Sequence, residues 1–491
     1  MLFKWNIPKN DAGEIEMVKQ YGLYIDGKQV ATKEQLDVLD KYSQEAIATV
    51  SVAGLAQVDQ AVEAARNAYK KIQLSPYRRF EILKRVGELL LEYKEAFAEI
   101  ITQEAGKPWK QAMNEVDRSA QTFEIAAEEA KRIHGEGVPV EAAPGSENRM
   151  AFTLRVPVGV VGAISPFNFP LNLVSHKVAP AIAAGNAVVL KPASTTPIAA
   201  LKLAEVFEEA GLPAGLFNVV IGPGSTVGDR LMKDERIDLY TFTGSAAVGL
   251  KLKQNTGLKK LTLELGNNSP VIVDKEANIE LAAKNIAQKS FAYAGQVCIS
   301  VQRIYVHESI VVQFQKLFLD EVKKLHVGNP LDPITDVGPM ISVKEAERAE
   351  TWISEAIEQG AEVIQGGQRD GAVLQPTVLA GVKKDMKVVC EEIFAPVVSM
   401  LTYNNLDDCI EEVNESAYGL QGGIFTRNLD TAFHVARKVE VGGMMINDAS
   451  QYRVDLMPYG GVKNSGSGKE GPKYAIDEMT EERLIVLNLN K

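Results

Sequence analysis

The sequence predicts an α/β protein made of two alternating strand–helix units and a small extended element. Three observations carry that expectation. Short apolar runs of strand length recur from Val158 onward, helical segments separate them, and a second alternating block spans about 270–446. Such alternation builds βαβ units around a buried parallel sheet. A chain of 491 residues also exceeds one ordinary core, so two or three domains are expected.

Residues 56–72 and 78–106 set apolar side chains at helical spacing with charges opposite, so the chain from Ala56 to about His134 reads as mainly helical. From Gly135 to Val156 it reads instead as extended segments joined by a turn. VGVVGAI (158–164) is a strand and 171–185 a helix; AVVLK (187–191) is a strand and 196–211 a helix. NVVIG, DLYTF and LTLEL add strands at 218–222, 238–242 and 261–265, and the tail ERLIVLNL alternates as an edge strand does.

Composition excludes several classes. With 46% hydrophobic and 24% charged residues the chain is globular. A net charge of −11 argues against general nucleic-acid affinity. The N-terminal stretch has no apolar h-region, and the most apolar segment, Val156 to Ile164, is far short of the ~18 residues of a membrane helix. A cytoplasmic protein with no membrane partner is expected. Cys298, Cys390 and Cys409 lack metal-ligand spacing and read as reduced thiols. His134, His176, His307, His326 and His434 are scattered, so no metal site is expected.

Cys298 follows Gly295 and Gln296 on a turn after a helix. A single cysteine is usually an inert core residue, but a turn lets a thiol and a backbone N–H face one small space, and an electropositive site would lower its pKa toward thiolate. Glu264 ends a strand between Leu263 and Leu265. It is either a solvated carboxylate or a partly buried one, whose raised pKa suits a general base. Asn168 in ISPFNFP is either a turn former or an oxyanion donor, a role of about 3–4 kcal/mol.

Seven segments then occur together: PFNFP (166–170), AAGNAVVLKPA (183–193), FTGS (242–245), LELGNNSP (263–270), GQVC (295–298), EEIFAP (391–396) and PYGGVKNSG (458–466). In order and spacing they resemble the aldehyde dehydrogenase superfamily, from about Tyr24 to the C-terminus. The resemblance implies a Rossmann-like cofactor domain (1–134 and 156–264), an α/β catalytic domain (265–471) and a β oligomerisation element (135–155 and 472–491). It implies Cys298 as nucleophile, Glu264 as general base and Asn168 as oxyanion donor, and it matches Lys177 and Glu470 to positions proposed to relay protons. A homo-oligomer, dimer or tetramer, is implied as well.

NAD or NADP is the implied cofactor. The FTGS helix start (Gly244, Ser245) suits a pyrophosphate, and Gly224 and Gly228 lie in a glycine-rich turn. The resemblance puts Lys191 on the adenosine ribose and Glu392 and Phe394 around the nicotinamide ribose, with Ile164 and Leu265 lining the site. Ser194 stands where NAD-preferring relatives often carry glutamate, so NADP is expected to be tolerated or preferred; its hydroxyl would donate to phosphate. Asn267 and Ala395 replace common glycines of the family.

For the substrate, His176 stands where many relatives place a tunnel tryptophan, and aliphatic Val297 and Ile299 flank the nucleophile. Arg118 and Arg453 are matched to the substrate mouth. A lone arginine is usually a surface salt-bridge residue, whereas two at one mouth suit an anionic group. These features resemble the branch of lactaldehyde, non-phosphorylating glyceraldehyde-3-phosphate and sulfolactaldehyde dehydrogenases, implying a short hydroxy- or anionic aldehyde. Three rivals remain: a CoA-acylating semialdehyde dehydrogenase, which usually lacks the Glu264 equivalent, a catalytically silent structural relative, which would be free to lose Cys298, and a generic nucleotide-binding module, which would not require the nucleophile.

Overall fold

The computed structural model describes residues 19–489; positions 1–18 of the expected cofactor domain and 490–491 of the expected oligomerisation element lie outside the described residues. Two large apolar cores organise the described residues, with a small third cluster that includes Tyr293 and Tyr459. The first is assembled from residues between Tyr21 and Leu265, joined by Ile476 and Met479. The second runs from Val271 to Ala449.

An eight-stranded sheet carries the first core, in the spatial order 466–467, 260–264, 239–243, 160–164, 187–191, 217–219, 23–25 and 28–30. Strands 260–264 through 217–219 are mutually parallel. Ala187–Lys191 and Leu239–Thr243 are buried along their whole length, as continuous apolar runs require when helices cover both faces. From Val160–Ile164 the chain steps to one side for two strands, then returns to the other side at Leu239–Thr243. The order therefore reverses beside Ile164, and the carboxyl ends of strands diverge there into a crevice, the usual ligand position in an open α/β sheet.

The second core surrounds a seven-stranded sheet in the order 362–365, 377–380, 397–403, 301–307, 269–273, 421–425 and 443–446. Only the outer strand Glu362–Gln365 runs antiparallel. A third, three-stranded sheet pairs Arg149–Pro157 with Thr480–Asn488 along nine residues, leaving the latter as an open edge.

Local chemistry sets the helix ends. Ser75 caps Pro76–Glu92 by accepting from the Arg78 N–H. The helix Asn172–Ala184 stops at Gly185, whose φ of 94° suits glycine. All thirteen residues of that helix are buried, including Asn172, His176 and Lys177; those polar groups must find partners inside the protein. Among the described residues no helix is long and apolar enough to cross a membrane.

Two features depart from the sequence reading. The strands Lys19–Tyr21, Leu23–Ile25, Lys28–Val30, Gln35–Leu39 and Ala46–Ser51 precede the first helix; at three to six residues with mixed polarity they show no readable period. The strand Gly466–Ser467, from the segment assigned to the catalytic unit, instead extends the first sheet by pairing with Leu263 and Glu264.

Phe207 ties the helix layer to that sheet, meeting Phe123 edge-on at 5.5 Å and Phe217 at 5.2 Å between centroids. Phe207→Ala is expected to cost about 3–5 kcal/mol, read as a lower denaturation midpoint with an unchanged m-value.

Candidate active site

Cys298 is aimed by a strained turn. After the helix Ile279–Phe291, Tyr293 and Ala294 adopt φ of 49° and 50°, and Gly295 follows at 68°. Left-handed non-glycine residues are costly and persist only where the surroundings over-determine them. Here they do. The Tyr293 hydroxyl donates to the Ala105 carbonyl at 2.6 Å, and the Gln296 side chain accepts from the Ile341 N–H at 2.8 Å. At Gly295 a Cβ would come within 2.0 Å of the Ala395 carbonyl oxygen, so only glycine lets the turn press against the bend that precedes the strand Val397–Tyr403.

The Cys298 Sγ lies 2.8 Å from the Tyr459 hydroxyl. Burial pushes the thiol up to about 12, against the Tyr459 hydrogen bond and the Arg453 charge, which both pull it down. The expectation of a lowered pKa is thus corrected for the resting site: too little positive charge faces the sulfur to offset desolvation, and it holds its proton. Asn168 is buried beside it, donating through Nδ2 to the Gln296 carbonyl at 3.0 Å. One amide N–H remains. The Cys298 backbone N–H finds no acceptor among the described residues, so two donors are available near the sulfur.

Glu264 ends its strand buried, with neither carboxylate oxygen hydrogen-bonded. Burial, and after it the charge of Glu470, holds its carboxyl well above the usual range. Glu470 is the opposite case. It accepts from Lys177 Nζ at 3.1 Å and Arg453 Nη2 at 3.0 Å, and despite its burial these cations hold it down at about 2. Two buried carboxyls, one paired and one unpaired, are pushed apart by environment alone.

Around the sulfur opens a cavity of about 300 Å³, lined by Cys298, Phe169, Tyr459, Lys107, Arg118 and Arg453 among others. Arg118 grips Asp455 with Nε at 3.0 Å and Nη2 at 2.7 Å. The Arg453 guanidinium lies 3.7 Å from the Tyr459 ring centroid, and its buried Nε has no acceptor. Lys107, paired with Glu115, sits 3.6 Å over the Phe169 ring.

On the other side lies the crevice of the first sheet. Ile164 and Lys191 end neighbouring strands, in register with each other. Lys191 is buried, donates only to the Pro192 carbonyl at 3.1 Å, and is lowered to about 8 by desolvation. Gly224 and Gly228 bound one wide turn, where a Cβ on Gly224 would meet nothing and one on Gly228 would touch Lys191. Gly244 and Ser245 precede the helix Ala246–Asn255, which Ser245 does not cap. Glu392 accepts from the Asn267 N–H at 2.8 Å and is raised to about 7 by burial. Phe394 sits at φ 49° against Phe167, and Leu265 packs under the Ala246–Asn255 helix at Gly249.

Residues 28–485 match the model of the aldehyde dehydrogenase family. The chain belongs to that family. It is 57% identical over 475 residues to the 3-sulfolactaldehyde dehydrogenase of Priestia aryabhattai, covering 97% of this chain and 99% of that protein. With the lactaldehyde dehydrogenase of Methanococcus maripaludis identity is 41% over 472 residues, covering 95% and 100%. The structure of the glyceraldehyde-3-phosphate dehydrogenase GapN of Methanocaldococcus jannaschii, complexed with NADP, matches with TM-score 0.90 at 41% identity, covering 93% and 100%. The chain is an NAD(P)-dependent aldehyde dehydrogenase of the expected α/β, Rossmann-like class.

The crevice of this aldehyde dehydrogenase fits a nicotinamide dinucleotide. Lys191 is a buried ammonium with one acceptor and Glu392 a half-buried carboxylate with one donor, each with capacity left for ribose hydroxyls. The uncapped start of the helix at Ser245 offers N–H groups to a pyrophosphate. Two expectations need correction. The Ser194 hydroxyl donates to the Gly222 carbonyl at 2.8 Å, so its proton holds the glycine turn and is not free for a phosphate. His176 does not line the substrate cavity: it is 1% exposed and donates through Nε2 to Asp455 at 2.8 Å. Burial lowers its pKa, leaving a neutral ring that orients Asp455, and through it Arg118.

Tyr459 and Lys107 escaped sequence reasoning. The PYGG segment had flagged the neighbourhood of Tyr459, but its contact with Cys298 spans 161 positions. Tyr459→Phe removes a hydrogen bond that favours the thiolate, so the Cys298 pKa is expected to rise further. At any fixed pH below that pKa, iodoacetamide should then alkylate Cys298 about three- to tenfold more slowly than in wild type. Equal rates would deny Tyr459 that role.

Proposed function

We propose that this aldehyde dehydrogenase oxidises a short hydroxy- or anionic aldehyde to its carboxylic acid, with 3-sulfolactaldehyde foremost and lactaldehyde and glyceraldehyde 3-phosphate as the other candidates. The observation that carries this reading is the Arg453 Nε, a buried donor without an acceptor in the same small cavity as Cys298. Arg453 is ion-paired with Glu470 through Nη2, but a buried N–H without an acceptor is costly, and an oxygen-bearing or anionic tail on the substrate would complete it. Arg118 adds a second guanidinium, held in place by Asp455. The names of the similar dehydrogenases support the same substrate class.

The chemistry follows from the atoms present. Cys298 gives up its proton to water in the cavity and its sulfur attacks the aldehyde carbon, forming a C–S bond and an oxyanion. Asn168 Nδ2 and the Cys298 backbone N–H donate to that oxygen. Bound NAD(P) supplies the hydride acceptor and a positive ring charge. Loss of hydride leaves a thioester on Cys298, which excludes free acid until water enters. Glu264, with both oxygens free, takes a proton from that water as it attacks. The C–S bond then breaks and the thiolate leaves as the acid forms. Lys177 and Glu470, whose charges act on Glu264, would lead protons away from it. In sum, aldehyde, water and NAD(P)⁺ give carboxylate, NAD(P)H and two protons.

The unpaired Glu264 favours water as acyl acceptor over coenzyme A, and the intact trio of Cys298, Glu264 and Asn168 favours a catalyst over a silent scaffold. The open strand Thr480–Asn488, with Leu484, Val486 and Leu487 exposed, supports a homo-oligomer, dimer or tetramer, because an uncovered edge invites pairing. Free thiols at all three cysteines support a cytoplasmic setting.

The test is kcat/KM for sulfolactaldehyde, glyceraldehyde 3-phosphate, lactaldehyde and succinic semialdehyde with each cofactor. Arg118→Ala is expected to raise KM for the anionic substrates about ten- to hundredfold while sparing lactaldehyde. Equal losses on charged and uncharged substrates would overturn the anion assignment. Separately, Ser194→Glu should lower kcat/KM with NADP at least about tenfold and leave NAD within about threefold, since a carboxylate there would repel a 2′-phosphate.

A further inference from the structure

Away from the catalytic cleft, a cavity of about 440 Å³ opens between the helix Pro76–Glu92, the root of the three-stranded sheet and the far end of the helix Asn172–Ala184. Its charged lining consists of Lys70, Arg79 and Arg483, with no acidic residue among the lining groups. Arg79 is 9% exposed. Its Nε is buried without an acceptor, and its guanidinium enters no ion pair or hydrogen bond among the described residues. Burial, opposed by no carboxylate, lowers its pKa.

An arginine in this position is hard to account for as packing. It stands in the first turn of its own helix, where the dipole disfavours a cation. Space is also kept for it: a Cβ on Gly185 would fall 2.7 Å from Arg79 Nη1. A buried, unpaired guanidinium is strongly unfavourable unless something completes it. In the single chain Lys70 and Arg483 at the rim are exposed and likewise form no ion pair among the described residues, Arg483 standing on the strand Thr480–Asn488 proposed above for contact with another copy. Apolar Ile72, Leu74, Val156 and Pro157 line the rest, so the space suits a compact anionic head with a small organic body.

We propose that this cavity binds a small phosphate-bearing anion, either inorganic phosphate or a phosphate monoester, with Arg79 as the buried donor and Lys70 and Arg483 closing over it. Planar guanidinium donors match phosphate oxygens bidentately. The site is separate from the catalytic cavity. The helix Asn172–Ala184, roughly 20 Å long at 1.5 Å per residue, has Asn172 at one cavity and Ile182 at the other.

Calorimetric titration of the whole protein, saturated with NADP so that the cofactor crevice is filled, tests this with inorganic phosphate and with glycerol 3-phosphate. Binding by both probes assigns the phosphate group as the determinant; tighter binding of the ester assigns the apolar wall to its body. Arg79→Gln is expected to weaken binding roughly tenfold or more and to abolish the phosphate-dependent rise in melting temperature. Arg118→Gln, altered in the catalytic cavity, should remove at most a separate binding event there; the Arg79-dependent event, and with it the binding of inorganic phosphate and its rise in melting temperature, should persist. In phosphate-free buffer Arg79→Gln should melt no lower than wild type, because it removes an unpaired charge. Absence of binding in wild type, or unchanged binding by Arg79→Gln, would overturn the proposal. So would a phosphate-independent loss of oligomer mass in Arg79→Gln, which would assign the arginine to a second copy of the chain. Should Arg79→Gln fail to fold, the pair Lys70→Gln and Arg483→Gln is titrated instead, with the same reading.

Discussion

Two carboxylates, Asp455 and Glu470, fasten the loop that follows the second core onto the helix Asn172–Ala184 of the first. Asp455 takes hydrogen bonds from Arg118, His176 and Asn172; Glu470 takes them from Lys177 and Arg453. All these groups lie in a region of low effective dielectric, where pairing is strong and loss of one partner costs about 3–5 kcal/mol. The same loop delivers Tyr459 to the sulfur and Arg453 to the cavity wall. The proposed active site at the junction of two cores thus rests on a seam of buried charge, beside a small apolar cluster that includes Tyr293 and Tyr459.

Cys298, the proposed nucleophile, is positioned by an independent constraint. Its turn spends backbone strain at Tyr293 and Ala294 and tolerates no side chain at Gly295. Strain of this kind restricts the turn to one geometry, which keeps Cys298 opposite Asn168 while the Asp455 seam shapes the far wall. The two halves of the site come from different cores, so their alignment reflects both devices at once.

Much of this was legible in the residues. Buried strands such as Ala187–Lys191 announce themselves because an unbroken apolar run has few other uses. The trio Cys298, Glu264 and Asn168 emerged through motif order, with Glu264 already suspect from its apolar neighbours. What stayed hidden has a common cause. His176 looked like a wall residue because sequence offset says nothing of which way a helix face turns, and Ser194 looked like a free donor because its acceptor, the Gly222 carbonyl, is 28 positions away. The N-terminal strands are too short to carry a period, and Gly466–Ser467 joins the first sheet only because tertiary pairing places it there.

The high resting pKa of Cys298 has a consequence beyond turnover. Peroxide and similar oxidants react with thiolate far faster than with thiol. A sulfur that keeps its hydrogen while the site is idle is therefore shielded from conversion to sulfenic and higher acids. The burial that opposes activation of the thiol thus also opposes its oxidation.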